Sequence, residues 1–173
     1  MNMKRIVGFI LIVICVVSCK KSKVTPTAAE RFESDLTLID KYLADNHIDA
    51  IRYDSIRYVI NVIGTGPTPT KTNCVLIKYS GFELEEPTAF QVNVDKGLKL
   101  PLKGLIGGMQ IALKKFPLGS KGWIYMPSAL GYGVSGQPDG VGGYAVHPNT
   151  CLRFEVELVQ LYEYNVLGNY CNE

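Results

Sequence analysis

The sequence is poor in the residues and motifs on which hydrolytic and metal-dependent chemistry depends. It has only two histidines. It contains no Gly-x-Ser-x-Gly nucleophile motif, no His-Glu-x-x-His zinc motif and no Cys-x-x-Cys pair. These absences argue against a hydrolase and against a metalloenzyme, and we expect the protein to need no cofactor.

The chain also lacks an excess of charge and a hydrophobic run long enough to span a membrane. Its 18 basic and 16 acidic residues leave a formal net charge of +2, which does not indicate nucleic-acid binding. The apolar run Ile6–Val17 is shorter than the roughly 20 residues that a membrane-spanning helix needs. Because Lys4 and Arg5 precede it, the run is typical of a secretory signal peptide.

The small residue before Cys19 resembles the lipobox of bacterial lipoproteins, in which the cysteine becomes the lipidated N-terminus. The polar segment 20–23 follows at once. We therefore expect residues 1–18 to be a signal peptide, Cys19 to be the lipidation site, and residues 19–26 to be a tether. This would anchor the protein to a membrane of the bacterial cell envelope, on the periplasmic face or the cell surface. Ordinary secretion with an incidental cysteine is the alternative.

Residues 27–47 predict an amphipathic helix. Its apolar positions, spaced by four, three and four residues, are Phe32, Leu36, Ile39 and Leu43. Thr27 and Glu30 have the spacing of a capping box. We expect this helix to serve as a stalk or to pack against the domain that follows. A role in dimerisation is the alternative.

The rest of the chain predicts one domain at residues 51–162 and a C-terminal tail at residues 163–173. Strand-like patterns occur at residues 57–63, 75–79, 122–127 and 152–161, and we expect residues 92–95 and 97–100 to form a bulge and a short strand. Before the third of these, residues 109–116 have apolar positions at helical spacing, which predicts one short helix. Residues 134–145 are rich in glycine and predict a mobile loop without a catalytic cluster.

The order of these segments and their sequence motifs resemble those of the FKBP family of peptidyl-prolyl isomerases. The family motif V-I-x-G-W-x-x-(A/G)-L corresponds to residues 105–113, and P-x-x-(A/G)-Y-G corresponds to residues 127–133. Residues 75–81 end in Tyr-x-Gly, as in the family's first long strand, and residues 146–158 resemble I-P-P-N-A-x-L-x-F-x-V-E-L. The resemblance implies an α+β fold in which a curved antiparallel β-sheet of five to six strands wraps around one short α-helix, with an extra N-terminal helix.

The same resemblance implies cis–trans isomerisation of X-Pro bonds in exported proteins. This reaction needs no nucleophile, because its barrier of about 18–20 kcal/mol comes from amide resonance. A dry apolar pocket removes the water that stabilises the planar amide. The alternative is a non-catalytic peptide-binding chaperone or assembly lipoprotein that retains the fold.

The site residues are likewise implied by the resemblance. The backbone N–H of Ile106 would hold a substrate carbonyl, Tyr132 would offer its hydroxyl, and Phe90 would complete the catalytic set. The expected substrate-binding residues are Tyr79, Gln91, Leu105, Met109, Val146 and Phe154. The alternative to a role in binding is core packing for the apolar residues. For Tyr132, the alternative is an aromatic residue that only occupies a turn.

Three positions depart from the family pattern. Met109 stands where the family usually has tryptophan, Gln91 stands where it has aspartate, and Leu98 is the nearest apolar residue to a missing aromatic. A thioether is more flexible than an indole and forms a less rigid floor for a proline ring. We therefore expect weak isomerase activity and weak binding of macrolide inhibitors.

Three cysteines remain in the predicted mature domain, Cys74, Cys151 and Cys171, so at least one of them is unpaired. In the family's sheet the first long strand runs antiparallel beside the last strand. This implies that Cys74 lies near the chain beyond Leu161, and it favours a Cys74–Cys171 disulfide in an oxidising compartment. Three free thiols are the alternative.

Overall fold

The structure is a computed structural model that describes residues 25–165, 170 and 171. The predicted signal peptide, Cys19 and most of the tether lie outside the described residues. Within the described ranges, no helix is long and apolar enough to cross a membrane.

The predicted N-terminal helix is present as α1, Ala28–Asp45, and it begins with the predicted capping box. The Glu30 amide donates to Thr27 Oγ1 at 3.2 Å, and the Thr27 amide donates to Glu30 Oε2 at 2.8 Å. Ile39 and Leu43 are buried as their spacing predicts. The helix therefore has one face turned to the domain.

One large antiparallel sheet forms the body of the domain. Its strands are β1 (Ile51–Tyr53), β2 (Ile56–Val62), β3 (Asn73–Glu83), β4 (Gln91–Pro101), β5 (Lys121–Met126), β8 (Leu152–Asn165) and β9 (Tyr170–Cys171). A separate hairpin consists of β6 (Gln137–Pro138) and β7 (Tyr144–Val146). The strand order is β1-β2-β5-β8-β3-β4, and β9 pairs with β8. The predicted α+β class is confirmed, although the sheet has seven strands where five to six were expected. The sequence patterns did not indicate β1, β9 or the β6–β7 hairpin.

Strict alternation of side chains sets the two faces of the sheet. In β8, Leu152, Phe154, Val156 and Leu158 are buried, whereas the residues between them are only half-buried. Their buried face, called the inner face here, carries the larger hydrophobic cluster. This pattern confirms the strand prediction for residues 152–161.

The predicted short helix packs on the inner face. It is present as α2, Gly107–Ala112, and continues as a 3₁₀ turn over Leu113–Lys115. The apolar positions that predicted it are all buried: Met109, Ala112, Leu113 and Phe116. A Cβ on Gly108 would lie 2.4 Å from the Met126 sulfur, so glycine is what allows α2 to pack this closely on β5.

Helix α1 packs on the opposite, outer face over a second hydrophobic cluster. This cluster comprises Ile39, Leu43, Leu84, Tyr125 and Cys151. Two polar contacts fix the helix in place. Arg57 Nε of β2 donates to Asp40 Oδ1 at 2.8 Å, and the Ser128 amide donates to Asp35 Oδ2 at 2.9 Å. The helix was expected to serve as a stalk or to pack against the domain, and the structure shows that it packs against the domain.

The predicted cysteine pairing is confirmed. Cys74 and Cys171 form a disulfide with a Cα–Cα distance of 5.7 Å, and Cys151 is free and buried. Strand β8 continues to Asn165, so regular structure extends past the predicted domain end at residue 162. The domain boundaries themselves remain predictions.

Candidate substrate-binding pocket

A cavity of about 240 Å³ opens on the inner face, between α2 and the strands β3 and β4. Most of the residues predicted from the resemblance line it: Tyr79, Gln91, Leu105, Ile106, Met109, Tyr132 and Phe154. Ile77, Leu98 and Leu100 complete its apolar wall. The sheet alternation and the short α2 therefore bring residues from distant parts of the chain to one concave surface.

Phe90 and Val146 are placed differently from the other predicted residues, since neither is part of the cavity lining. The Phe90 ring lies edge-on to Tyr132 at 6.2 Å and to Phe154 at 5.8 Å between ring centroids. Val146 is 1% exposed and belongs to the core. The edge-to-face packing of Phe90 fixes the orientation of two rings that do line the cavity.

Tyr132 is held over the pocket by the loop that follows β5. This loop begins with a 3₁₀ turn at Ser128–Leu130, where both the amide and the hydroxyl of Ser128 donate to Asp35 of α1. Burial, with a smaller contribution from Tyr79, raises the pKa of Tyr132 above its usual value. The Tyr132 hydroxyl therefore stays protonated at neutral pH and can donate a hydrogen bond.

Ile106 immediately precedes α2 and has φ −61° and ψ 152°. Within the described part of the chain, its backbone N–H has no hydrogen-bond partner. The Gln110 side chain donates to the carbonyls of Leu105 at 2.7 Å and Lys103 at 3.1 Å. These two bonds fix the loop that carries Ile106, so an unused donor is held in the pocket wall.

Met109 and Gln91 occupy the positions at which the sequence departs from the family pattern. Met109 is 2% exposed and lines the cavity from α2. Gln91 is exposed and contributes an uncharged carboxamide to the wall. The lone tryptophan, Trp123, stacks on Tyr125 at 6.4 Å between ring centroids and packs against the outer cluster. It does not replace the family's tryptophan in the pocket.

Sequence reasoning missed Gln137, which also lines the cavity. Its Oε1 atom is buried and accepts no hydrogen bond from the described residues. The glycine-rich loop around it contains regular structure that its composition does not predict. It contains the β6–β7 hairpin, and Asp139 Oδ1 accepts from the amides of Val141 and Gly143, each at 2.9 Å. No sequence pattern marks a single glutamine in such a loop.

The chemical character of the pocket is apolar with a few polar groups. The polar groups are two carboxamides, two tyrosine hydroxyls and an unused backbone N–H. In the stretch from residue 25 to 165 and at residues 170 and 171, no group of three or more His, Cys, Asp or Glu could hold a metal ion. The pocket can desolvate an apolar ring and donate hydrogen bonds, and it offers no charged base or nucleophile.

A curved antiparallel sheet around one short helix, with an apolar pocket between them, defines the FKBP-like class of folds. The family model described as FKBP-type peptidyl-prolyl cis-trans isomerase matches residues 66–159. The chain therefore belongs to the FKBP-type family.

Relatives and solved structures agree with this assignment. The chain is 32% identical over 108 residues to the FKBP-type isomerase FkpA of Aeromonas hydrophila, covering 61% of this chain and 38% of that protein. It is 35% identical over 100 residues to the FKBP-type 22 kDa isomerase of Escherichia coli, covering 57% and 46%. The matches thus span less than half the length of these relatives. A crystal structure of a peptidyl-prolyl isomerase from Pseudomonas syringae is similar at a TM-score of 0.62 and 26% identity, covering 81% of this chain and 98% of that one.

Proposed function

We propose that the protein is a peptidyl-prolyl cis–trans isomerase that acts on X-Pro bonds of exported polypeptides in the bacterial cell envelope. The observation that supports this most directly is the apolar cavity of about 240 Å³ on the inner face. Its wall combines aliphatic and aromatic side chains with the Tyr132 hydroxyl and the unused Ile106 N–H. A proline ring and its flanking amide match this combination of groups.

The reaction follows from what the pocket does to the amide. The planar X-Pro amide is more polar than the twisted transition state, because twisting breaks the resonance that separates charge. Transfer of the amide from water to an apolar pocket therefore raises the energy of the planar form relative to the twisted form. The Ile106 N–H holds a substrate carbonyl outside the rotating amide, so it fixes the chain beside the bond while the bond turns. Each 1.36 kcal/mol removed from the barrier is about a tenfold gain in rate.

The aromatic side chains orient the substrate, and no proton is transferred to or from the protein. Tyr132 donates its hydroxyl hydrogen to a second substrate carbonyl, which its raised pKa permits throughout the neutral range. Tyr79 and Phe154 pack against one another at 6.1 Å between ring centroids and close the pocket on the sheet side. Phe90 packs edge-on against the Tyr132 and Phe154 rings and fixes their orientation.

We propose that the activity is weak. Met109 gives the proline ring a flexible floor in place of a flat one, and the exposed Gln91 lacks the charge of the family's aspartate. The same replacements reduce the affinity for macrolides, which need a rigid apolar pocket. They also favour a second candidate function, a chaperone that binds proline-containing segments without catalysing their isomerisation.

The proposed location in the envelope rests on the sequence before residue 25 and on the names of relatives. One relative is named outer membrane protein MIP, from Legionella longbeachae, and is 32% identical over 108 residues. We propose that Cys19 carries the lipid anchor. In this case the mature protein partitions into detergent and its N-terminal peptide has acyl mass, whereas Cys19→Ala releases soluble protein. Unmodified Cys19 in purified membranes would contradict the anchor.

The experiment that tests the function is a protease-free assay of cis–trans exchange in the end-blocked peptide Ala-Leu-Pro-Phe, followed by NMR. The proposal predicts that exchange accelerates in proportion to protein concentration. Acceleration should be lower than with a strongly active FKBP-type enzyme at the same concentration. Saturable peptide binding without acceleration would support the chaperone instead.

A further inference from the structure

The chain continues in ordered structure beyond residue 159, where the family match ends. Residues 162–165 prolong β8, and β9 (Tyr170–Cys171) turns back to pair with them, with Tyr164 opposite Cys171. We call residues 162–165, 170 and 171 the C-terminal clamp. It lies at the end of the sheet where β3 and β4 meet the loop that leads to the pocket.

The clamp is fastened to β3 by covalent and hydrogen bonds. Cys171 is joined to Cys74 by the disulfide, and Cys74 is completely buried. The Tyr164 amide donates to the Thr72 carbonyl at 3.2 Å. Within the sheet, Cys74 lies opposite Tyr162 on one side and opposite Pro101 of β4 on the other. The disulfide therefore holds the clamp next to the last residue of β4.

The clamp also contacts the back of the pocket wall through two lysines. Leu98 and Leu100 of β4 line the cavity, so the alternation of the strand places Lys99 on the outer face. There the Lys99 ammonium lies 4.0 Å from the centre of the Tyr162 ring. Each contact of this type contributes a modest cation–π attraction.

The second lysine belongs to the loop that carries the unused donor. Lys103 lies in the 3₁₀ turn Leu102–Gly104, and its ammonium lies 4.2 Å from the centre of the Tyr164 ring. The Lys103 carbonyl accepts from Gln110, which also binds the Leu105 carbonyl one residue before Ile106. A continuous set of contacts thus runs from the clamp to the Ile106 N–H.

From this arrangement we propose that the clamp positions the pocket wall formed by residues 98–106, so that peptide affinity depends on Tyr164 and on the Cys74–Cys171 disulfide. The inference rests on the proposed function, because it assumes that this pocket takes proline peptides. Tyr164 and Lys103 are positioning residues, since they act through Ile106 and the loop before it.

The test compares ring removal at the clamp with ring removal at an equivalent contact elsewhere. Tyr164→Leu removes the ring under Lys103, whereas Tyr164→Phe keeps it. The matched control is Tyr53→Leu, which removes the ring under Lys115, a contact of 3.8 Å between two residues that do not line the cavity. In the full chain, Tyr164→Leu should raise the Kd for end-blocked Ala-Leu-Pro-Phe measurably, by up to about fivefold, because the strength of one cation–π contact sets the upper limit of the effect. Tyr164→Phe should restore the affinity, and Tyr53→Leu should leave it unchanged.

The disulfide is tested with dithiothreitol and with Cys171→Ser. Reduction of the wild-type protein, in which the S–S bond takes two electrons and two protons from the dithiol, should raise the peptide Kd at least as much as Tyr164→Leu does. Cys171→Ser should have this raised Kd before reduction and should not respond to dithiothreitol. Equal affinity in the oxidised, reduced and serine forms would overturn the proposal. Weakening by Tyr53→Leu to the same extent as by Tyr164→Leu would also overturn it.

Hydrogen exchange separates this inference from the proposed function. If the wild-type protein binds no proline peptide, the proposed function fails, yet the clamp still predicts faster amide exchange over residues 98–106 in Tyr164→Leu than in Tyr53→Leu. Equal exchange rates in the two variants would refute the clamp whatever the pocket binds.

Discussion

The two faces of the large sheet are covered in different ways. On the outer face, α1 closes over a small cluster and is fastened by polar groups at Asp35 and Asp40. On the inner face, the shorter α2 covers most of a larger cluster but leaves the cavity beside β3 and β4 open. The polar groups of the outer face have partners, while the inner face retains an unused N–H and an unpaired Gln137 oxygen.

This difference separates stability from binding within one sheet. Groups that are already paired in the folded chain contribute to folding, and they have little left to offer a ligand. Unpaired donors and acceptors in an apolar wall reduce stability, but they are available to a substrate. Substitutions at the contacts between α1 and the outer face should therefore change the free energy of unfolding, and substitutions on the inner face should change peptide binding and turnover.

The largest expected effect is on the outer face, at Arg57. Arg57 is 6% exposed, and its bond to Asp40 is the main reason that the pKa of Asp40 is lowered. Arg57→Met removes the two hydrogen bonds from Arg57 to Asp40 and should lower the free energy of unfolding by about 3 kcal/mol in urea denaturation, the upper range for hydrogen bonds to a charged group. The matched control is Arg52→Met, which removes a mostly exposed partner of the same carboxylate and should cost less than about 1 kcal/mol. Weaker peptide binding in Arg57→Met would break the separation between the two faces.

The second prediction concerns alkaline pH and again involves the outer cluster. Burial, reinforced by Asp35, raises the pKa of Cys151 to about 12, and burial raises the pKa of Tyr125 to about 12. In the unfolded chain these groups lose their protons at lower pH, so the folded state binds more protons and stability falls as pH rises. We expect constant stability up to about pH 8.5, the unperturbed thiol value, and a loss of about 2 kcal/mol at pH 10.

The control for this prediction is Cys151→Ala, which removes the thiol but leaves Tyr125 in place. Urea denaturation at pH 8 and pH 10 should show a smaller difference in this variant than in the wild type. An identical pH dependence in both proteins would show that the thiol does not contribute.

On the inner face, Tyr132→Phe removes a hydroxyl and keeps the ring. Loss of one neutral hydrogen bond costs about 0.5–1.5 kcal/mol, so turnover of the end-blocked peptide should fall by about two- to tenfold. Because the pKa of Tyr132 is raised, wild-type turnover should not change between pH 6 and pH 9. Unchanged turnover in the variant would show that the Tyr132 hydroxyl takes no part in the reaction.

The smallest effect is expected for Met109→Trp, which restores the family's residue on the pocket floor. A rigid ring should raise the affinity for a macrolide inhibitor by about threefold, the lower range for an added aromatic contact. Because Met109 is 2% exposed, the larger side chain should also lower the melting temperature. If tryptophan lowers macrolide affinity in a variant that remains folded, Met109 is not the floor.

Much of the fold could be predicted from sequence because it depends on local patterns. The alternation in β8, the capping box of α1 and the apolar spacing of α2 are each contained in a few consecutive residues. The family motifs then fixed how these elements are arranged. The Cys74–Cys171 bond followed from that arrangement, since it needed only the order of two adjacent strands.

The parts that could not be predicted depend on contacts between distant residues. Asp35 lies on the buried side of α1 because Ser128, 93 residues away, supplies two donors, and nothing near Asp35 indicates this. The resemblance placed Phe90 in the catalytic set, yet its ring packs edge-on against Tyr132 and Phe154 and does not line the cavity. Gln137 reaches the cavity through a hairpin that its glycine-rich sequence does not suggest. Strand β9 was also missed, because a two-residue strand has no periodicity.

The central claim is that the pocket on the inner face catalyses the isomerisation of X-Pro bonds while the Ile106 N–H holds the substrate. Proline at position 106 tests it, because the native φ of −61° suits proline and Leu105 has the extended conformation, φ −79° and ψ 162°, that precedes it. Ile106→Pro therefore deletes the N–H with little change in the backbone, and Ile106→Val is the control that trims the side chain and keeps the donor.

The measurement is the cis–trans exchange rate of end-blocked Ala-Leu-Pro-Phe by NMR with wild-type protein and with both variants. Loss of about 1.4 kcal/mol of hydrogen bonding in the transition state corresponds to about a tenfold decrease in rate. The account predicts acceleration by the wild type, nearly the same acceleration by Ile106→Val, and about tenfold less by Ile106→Pro. Equal acceleration by the two variants, or none by the wild type, would contradict it.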